Sequence, residues 1–441
     1  MIRRIVGGLM AATVGIGLLA LVVAWSLDGR GALDRDGDPS PIPQAAFGSA
    51  VERGEYLSLA ANCGGCHTAD GGRPYAGGVL FRLPIGTIYS SNITPDLKAG
   101  IGGWSDDDFI RAVRGGIAPG GRHLYPVFPY TSFTGLTRGD VLAIKAYLAT
   151  LPAAEGTPPA NTLSFPFSRR PLVILWNVIG FKSARFAPDK SHDDAWNRGN
   201  YLATALGHCG ECHTPRGITF ATDRRRELEG GVAQTWKAYN ITPDREDGIG
   251  AWTVEDVRSY LHGDTPAERP AAAGQMGEVV NASLRHLHPD DLDALARFLL
   301  PQASTQSPGQ KPAARNPEPV PYGGPASAEG GVDSRWDGSR IFDGACVSCH
   351  PRDGGAAANG HGRLKGARSV RDPEAVNVVL TLLNGSSDRK HLLAPMPAFA
   401  AGYSNAEIAR LANYVVDSYG GVSGQVTPER VLQLRAAAGV R

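Results

Sequence analysis

The six cysteines of this 441-residue chain fall into three copies of one short motif. Each copy has two cysteines separated by two residues and followed directly by a histidine, at 63–67, 209–213 and 346–350. In such a motif two thiols can bond covalently to the vinyl groups of a porphyrin while the histidine places an imidazole on the iron, which is the attachment signature of c-type haem. The sequence therefore predicts three haems c, each attached through two cysteines and ligated by one histidine. The attachment residues are Cys63, Cys66, Cys209, Cys212, Cys346 and Cys349, and the axial histidines are His67, His213 and His350.

Two other uses of paired cysteines fit this pattern poorly. Structural zinc would pair C-x-x-C units into four-ligand sites, and three units cannot be paired evenly. A redox-active C-x-x-C disulfide needs no histidine directly after it.

The sixth iron ligands are expected among the four methionines, since methionine is the usual sixth ligand of a high-potential electron carrier. Met1 and Met10 lie in the apolar N-terminal segment. Met276 lies between the second motif and a closing helix, and Met396 follows the third motif in an Ala-Pro-Met-Pro sequence. We predict Met276 and Met396 as axial ligands of the second and third haems.

The first motif lacks a methionine partner. Met276 follows Trp252 by 24 residues, and the same count from Trp104 gives Phe128. His123 lies five residues before Phe128 and could supply a nitrogen instead. We predict His123 as the sixth ligand of the first haem; the alternative is an iron that is five-coordinate or bound by water.

The chain contains two copies of one domain and a shorter third relative. Three segments recur 145 to 148 residues apart: R-G-x-Y-L before the motif, N-I-T-P-D, and G-I-G-x-W. Helices with acidic first turns are expected after each tryptophan. Amphipathic closing helices are expected at 139–148, 289–300 and 404–414. The recurrent segments start at 53 and 198, at 92 and 240, and at 100 and 248.

These patterns predict a mostly α protein with three tandem cytochrome c domains on one N-terminal transmembrane helix. The length of 441 residues agrees with about three domains. The predicted boundaries are 1–30 for the anchor, 31–45 for a stalk, 46–155 for domain 1, 156–190 for a connector, 191–302 for domain 2, 303–335 for a Pro/Gly-rich linker, 336–420 for domain 3 and 421–441 for a tail.

The predicted anchor is residues 5–27, which carry no charge, and a bilayer span needs about 20 such residues. Arg3 and Arg4 precede it, so the positive-inside rule predicts a single-pass inner-membrane protein with its haem domains in the periplasm. The alternative is a cleaved signal peptide. Residues 171–181 are apolar but too short to span, which predicts either a buried connector or a surface that faces the membrane or a partner subunit.

Charge gives no support for nucleic-acid binding, because 44 Lys and Arg residues nearly balance 43 Asp and Glu residues.

With these motifs the chain resembles the three-haem cytochrome c subunits of bacterial membrane-bound dehydrogenases. The likeness covers about residues 45–420 and includes the segments 124–132 and 396–399. The chain is similar to the cytochrome subunits of alcohol and gluconate dehydrogenases. It most resembles the cytochrome subunits that accompany molybdopterin aldehyde or N-heterocycle oxidoreductases. The family often has methionine where this chain has Phe128, which is the departure at the first haem.

The resemblance implies an electron-transfer subunit with no catalytic site of its own. Electrons would arrive from a catalytic dehydrogenase partner, such as a molybdopterin/iron–sulfur enzyme, and leave to ubiquinone or a terminal oxidase. Two alternatives stay open: a peroxidase-like haem enzyme with an open first haem, and the cytochrome subunit of a terminal oxidase.

Overall fold

The computed structural model describes residue 33 and residues 40–264, 269–301, 334–356, 362–386 and 395–439, without the side chains of 334–337. The fold is mostly helical, and the chain divides into two compact units, Met1–Glu227 and Leu228–Arg441. We call these unit 1 and unit 2. The boundary between them falls inside the predicted domain 2, and the count of three domains stays a prediction.

Unit 1 consists of short helices and small antiparallel strand pairs. Its helices are α1 (Ala50–Ala60), α2 (Cys63–His67), α3 (Asp106–Gly115), α4 (Tyr130–Phe133), α5 (Arg138–Leu148), α6 (Leu172–Gly180), α7 (Asp194–Asn200), a π-helical turn Tyr201–Leu206, and α8 (Gly210–His213). Its strands are β1 (Leu80–Leu83), β2 (Gly86–Tyr89), β3 (Ile117–Ala118), β4 (Arg122–His123) and β5 (Thr162–Leu163), in the orders β1-β2-β5 and β3-β4.

Unit 2 contains a hairpin followed by helices. Its strands are β6 (Gly231–Ala233) and β7 (Trp236–Ala238), and its helices are α9 (Val254–His262), α10 (Gly274–Ala282), α11 (Pro289–Leu299), α12 (Ser334–Ala345), α13 (Val376–Asn384), α14 (Asn405–Tyr419) and α15 (Pro428–Ala438).

The helices predicted from the repeats are present and start where their caps predict. Ser105 and Thr253 each form a capping box with an aspartate three residues later, at the starts of α3 and α9. Ser404 does the same with a glutamate at the start of α14. A capping box satisfies two backbone N–H groups that the first helical turn leaves without partners. Local sequence therefore fixes these boundaries.

The first helix of the first repeat crosses its closing helix at a glycine. A Cβ at Gly54 in α1 would lie 1.8 Å from the Ala143 carbonyl oxygen in α5. The crossing recurs in unit 2, where a Cβ at Gly338 in α12 would lie 2.4 Å from the Arg410 oxygen in α14. Such close backbone approach explains why glycine stands at both positions.

The N-I-T-P-D and G-I-G-x-W segments form one backbone frame. The Ile101 N–H donates to the Thr94 oxygen at 2.9 Å, and Cβ atoms at Gly100 and Gly102 would lie 2.1 Å from the oxygens of Thr94 and Pro95. In the second repeat Ile249 donates to Thr242 at the same 2.9 Å. The two motifs occur together because their backbones are in contact.

A buried ionic network joins the first repeat to the start of the second. The Arg53 guanidinium pairs with the Asp140 carboxylate, with side chains 5% and 0% exposed, and donates to the Ile42 carbonyl at 2.8 Å. The Tyr201 hydroxyl donates to Asp140 and accepts the Thr137 N–H at 3.1 Å. The network therefore ties α1 and α5 to the first helix of the second repeat.

The last part of unit 2 has a continuous apolar core. Phe342, Val379, Leu383, Ile408 and Val416 are all nearly inaccessible and belong to one cluster. Residues of α15, in the stretch predicted as a tail, complete this cluster, so the tail contains a packed helix.

The connector predicted at 171–181 contains the helix α6, which has one buried and one exposed face. Val173 and Ile174 are 6% exposed, whereas Val178 and Ile179 are 67% and 69% exposed. Asn177 accepts the Tyr130 hydroxyl at 2.7 Å. The helix is thus held on the first repeat by its buried face.

In the part of the chain that the structure describes, no helix combines the length and the apolar character that a membrane crossing requires. The longest of these helices, α14, has 15 residues, against about 20 for a span. The predicted single-pass inner-membrane location, with haem domains facing the periplasm, is therefore wrong on this structure. The predicted anchor, 5–27, and most of the linker, 303–335, lie outside the described residues.

Candidate haem-attachment sites

The first attachment motif forms its own short helix. Asn62, with φ 50°, turns the chain between α1 and α2, and Cys63, Cys66 and His67 follow on α2. A Cβ at Gly65 would lie 2.3 Å from the Asn62 side-chain oxygen, so a larger residue there would displace the Asn62 side chain. One turn of helix thus presents both thiols and the imidazole together.

The axial histidine of the first motif is held by a backbone carbonyl. The His67 Nδ1–H donates to the Ser91 oxygen at 2.7 Å, and Ser91 directly precedes the N-I-T-P-D segment. This bond fixes the tautomer and leaves Nε2 as the free lone pair for a metal. Desolvation lowers the pKa of His67, against the opposite effect of the Ser91 bond, so the ring is neutral at pH 7.

The third motif repeats this arrangement. The His350 Nδ1–H donates to the Gly362 oxygen at 2.6 Å. Gly362 has φ 81°, and a Cβ there would lie 2.3 Å from the Cys349 oxygen. Glycine is therefore required where the chain returns to orient the histidine.

All six cysteines are free, and burial raises the pKa of five of their thiols: Cys63, Cys66, Cys209, Cys212 and Cys346. Desolvation raises the pKa of Cys63 to about 11 and that of Cys209 to about 12. A redox-active dithiol has a lowered pKa instead. Within the described residues no three His, Cys, Asp or Glu side chains converge as a metal site of their own. Two free thiols beside an oriented imidazole fit a covalently attached haem c.

The second motif carries a partly buried acid, Glu211, whose side chain is 13% exposed. Its carboxylate accepts Thr131 Oγ1–H at 2.5 Å and Ser132 Oγ–H at 3.2 Å, and pairs with the Arg216 guanidinium at 2.7 Å. Desolvation would raise the pKa of Glu211, but Arg216 and the Thr131 hydroxyl overcome it and lower that pKa, so the side chain is ionised. Thr131 and Ser132 lie three and four residues after Phe128. The carboxylate therefore ties the second motif to the segment of the first repeat that contains Phe128.

The first and second motifs are neighbours within unit 1. Desolvation, with smaller contributions from the Cys63 and Cys212 thiols, raises the pKa of Cys66 to about 11. A Cβ at Gly207 would lie 3.9 Å from the Ala60 oxygen, and the His208 ring, directly before Cys209, packs edge-on against Phe133 at 5.4 Å. Groups attached at these two motifs would therefore be adjacent.

The candidates for the sixth position of the first haem lie on one turn-rich segment. His123 is 6% exposed on β4, and its carbonyl accepts the Arg170 guanidinium at 2.7 Å. Phe128 packs edge-on against Phe133 at 5.6 Å, and Phe133 packs edge-on against His208 at 5.4 Å. The assignment of His123 to the iron stays a prediction.

Both candidate methionines are half-buried in unit 2. Met276 lies in the first turn of α10. Met396 packs against the core of the last part of unit 2, and its carbonyl accepts the Ser386 N–H at 2.9 Å. Cys346 is a member of that core, so Met396 and the third attachment motif belong to one packed region.

Sequence reasoning missed three residues that shape these sites: Ser91, Gly362 and Glu211. The recurrence of N-I-T-P-D after the first and second attachment motifs was the available signal for Ser91. Nothing local to Glu211 marks it as a link, because Thr131 and Ser132, to which it is linked, lie about 80 residues away.

Comparisons with known proteins agree with this chemistry. The cytochrome c family model matches residues 51–152 and 336–418. The fructose dehydrogenase cytochrome subunit of Gluconobacter japonicus is 34% identical, over 90% of this chain and 85% of its own. The gluconate 2-dehydrogenase cytochrome c subunit of Pantoea cypripedii is 36% identical, over 87% and 89%. The cytochrome c subunit of the quinone-dependent alcohol dehydrogenase of Gluconacetobacter polyoxogenes is 33% identical, over 88% and 85%. The chain therefore belongs to the family of cytochrome c subunits of dehydrogenase complexes.

Proposed function

We propose that this chain carries electrons through three covalently bound haems c, one at each C-x-x-C-H motif. The attachment residues are Cys63 and Cys66, Cys209 and Cys212, and Cys346 and Cys349. His67, His213 and His350 bind the irons. Each bound haem takes up and releases one electron as its iron changes between the ferric and ferrous states.

The observation that carries the proposal is that the first and second motifs are packed together: a Cβ at Gly207 would lie 3.9 Å from the Ala60 oxygen, and Glu211 accepts the Thr131 hydroxyl. Two haems attached at neighbouring motifs suit the passage of electrons between them better than two separated binding sites would. The orientation of His67 and His350 by backbone carbonyls supports the same conclusion, because it prepares an imidazole for iron before any metal binds.

Three domains, at 46–155, 191–302 and 336–420, would then hold one haem each. Met276 and Met396 complete the second and third sites, and His123 completes the first. His/Met ligation gives a higher potential than His/His ligation, so the first haem is the lowest of the three.

The catalytic partner is a dehydrogenase subunit that holds the substrate site, of the flavoprotein, quinoprotein or molybdopterin/iron–sulfur class. The acceptor is ubiquinone or a terminal oxidase. Co-purification of the full chain with a dehydrogenase subunit, and its reduction when that subunit's substrate is added, tests this assignment. Co-purification with copper and haem b would instead favour an oxidase subunit.

The haem count is tested on the full chain matured with haem. Intact mass and haem staining after denaturing electrophoresis should show three haems on the wild type. The paired variants Cys63→Ala/Cys66→Ala and Cys346→Ala/Cys349→Ala should each lose one haem. A wild-type count of two or fewer overturns the proposal.

Peroxide turnover by the isolated chain separates electron transfer from haem catalysis. We expect peroxide consumption no faster than for a chain whose first haem has been removed with Cys63→Ala/Cys66→Ala. Faster turnover by the wild type would favour the peroxidase-like alternative.

A further inference from the structure

The indole of Trp236 packs on the start of the helix that carries Met276. Trp236 begins β7, and Gly274 begins α10 with φ 56°. A Cβ at Gly274 would lie 2.3 Å from the indole Cζ3 and 2.7 Å from Cη2. The ring therefore lies directly against the Gly274 backbone, two residues before Met276.

The start of α10 lacks the cap that fixes other helices of this chain. Ala273 stands at its N-cap and has no side chain that can accept a backbone N–H. The helix has nine residues, and isolated helices of that length are unstable in water. Packing against Trp236 is therefore a principal restraint on where α10 begins and how its first turn is oriented.

The same indole is fixed from the other side by the last part of unit 2. Trp236 packs against the apolar cluster built on α13 and α14. Next to it, the Lys237 N–H donates to Asn377 Oδ1 at 2.9 Å, and Asn377 Nδ2–H donates to the Lys237 oxygen at 2.8 Å. Lys237 Nζ also pairs with Asp372 at 3.0 Å and with Glu374 at 2.6 Å.

We propose that Trp236 is a positioning residue for Met276. The sixth ligand of the second haem then depends on how the β6–β7 hairpin is held by the last part of unit 2. This inference rests on the proposed function, because it takes Met276 as an iron ligand. Trp236 lies outside the second and third attachment motifs, and its neighbour Lys237 is bonded to Asn377 on α13.

An axial ligand must be placed within a fraction of an ångström, and the residues that support it decide how well it is held. If the Trp236 side chain is truncated, the Gly274 backbone loses its packing partner. The first turn of α10 then becomes more mobile. Met276 then spends less time on the iron, although no bond to the iron has been altered directly.

The experiment compares five variants of the haem-loaded full chain: Trp236→Ala, Trp236→Phe, Asn377→Ala, Met276→Ala and Trp196→Ala. Trp196 is the matched control, since it is stacked on His192 at 3.8 Å in unit 1. Two quantities are measured at neutral pH: the near-infrared Met–iron band of the ferric protein, and the potentials from a spectroelectrochemical titration. Far-ultraviolet circular dichroism reports the fold.

Met276→Ala should remove one of the two Met–iron contributions and lower one potential. Trp236→Ala should remove most of that same contribution and lower the same potential, while circular dichroism stays as in the wild type. Asn377→Ala should act in the same direction with a smaller loss. Trp236→Phe, which keeps an aromatic ring, should retain most of the band, and Trp196→Ala should retain all of it.

The outcomes separate the two proposals. If Met276→Ala loses its contribution while Trp236→Ala keeps the full band and all potentials, the positioning role of Trp236 is wrong and the ligand assignment stands. If Met276→Ala keeps the full band, the ligand assignment itself fails. Should Trp236→Ala not fold, Gly274→Ala tests the same contact from the helix side, and an unchanged band in that variant overturns the inference.

Discussion

Replacing Asp140 by alanine should be among the most destabilising single substitutions in unit 1. The Asp140 side chain is fully buried and that of Arg53 is 5% exposed. Without the carboxylate, Arg53 would keep its bond to the Ile42 carbonyl but lose its counter-charge. Tyr201 would lose the acceptor of its hydroxyl proton.

The magnitude follows from the burial of both partners. Removing one member of a buried ion pair typically costs about 3–5 kcal/mol, because the remaining charge is left uncompensated away from water. The free energy of unfolding of a single domain is only about 5–15 kcal/mol, so the loss of this ion pair would remove a large share of it. Tyr201→Phe removes one hydrogen bond to a charged group and should cost about 1.5–3 kcal/mol.

The assay is urea unfolding of the haem-loaded chain, monitored by circular dichroism. The matched control is Asp107→Ala, because Asp107 pairs with Arg138 at 2.8 Å while their side chains are 53% and 38% exposed. Exposed pairs contribute about 0–1 kcal/mol. If Asp140→Ala costs no more than Asp107→Ala, the buried network does not stabilise unit 1 as argued.

Three further predictions concern single residues. His123→Ala should replace one low-spin electron paramagnetic resonance signal with a high-spin one, because the first iron loses its sixth ligand; an unchanged low-spin spectrum rules His123 out. Glu211→Gln should raise one haem potential in redox titration, because the partly buried negative charge of Glu211 stabilises the ferric state. The expected rise is tens of millivolts, where about 59 mV is a tenfold change in the equilibrium constant for one electron. A fall in potential would contradict this. Gly54→Ala should lower stability by about 1–3 kcal/mol in urea unfolding, because its Cβ would overlap the Ala143 carbonyl. Gly139→Ala, whose nearest neighbour is 4.0 Å away, is the control and should be neutral or slightly stabilising; equal losses in the two would refute the argument.

The helices could be predicted because their signals are local. The closing helix expected at 139–148 is observed as Arg138–Leu148, and that expected at 289–300 as Pro289–Leu299. Thr137 caps the start of the first, Pro289 stands at the first position of the second, and each has an amphipathic pattern within a dozen residues. The helix expected at 404–414 continues to Tyr419, because Val415 and Val416 are also buried in the core.

The contacts between repeats could not be predicted, because each depends on residues far apart in the chain. Arg53, Asp140 and Tyr201 are brought together across almost 150 positions, and each is unremarkable in its own segment. The hairpin β6–β7 has three-residue strands, too short for a clear alternation of apolar and polar residues. Its turn includes Gln234 at φ 55°, a residue type that gives no turn signal.

The bond pair between Asn377 and Lys237 has a consequence for how this protein can vary. The Asn377 side-chain amide accepts the Lys237 N–H and donates to the Lys237 carbonyl, as the backbone of a neighbouring strand would. Every residue except proline presents those same two groups. Substitutions at 237 can therefore change the charge of the hairpin while the docking contact survives. An insertion or deletion in the hairpin would move a different peptide opposite Asn377, so the contact constrains the length of this segment more than its composition.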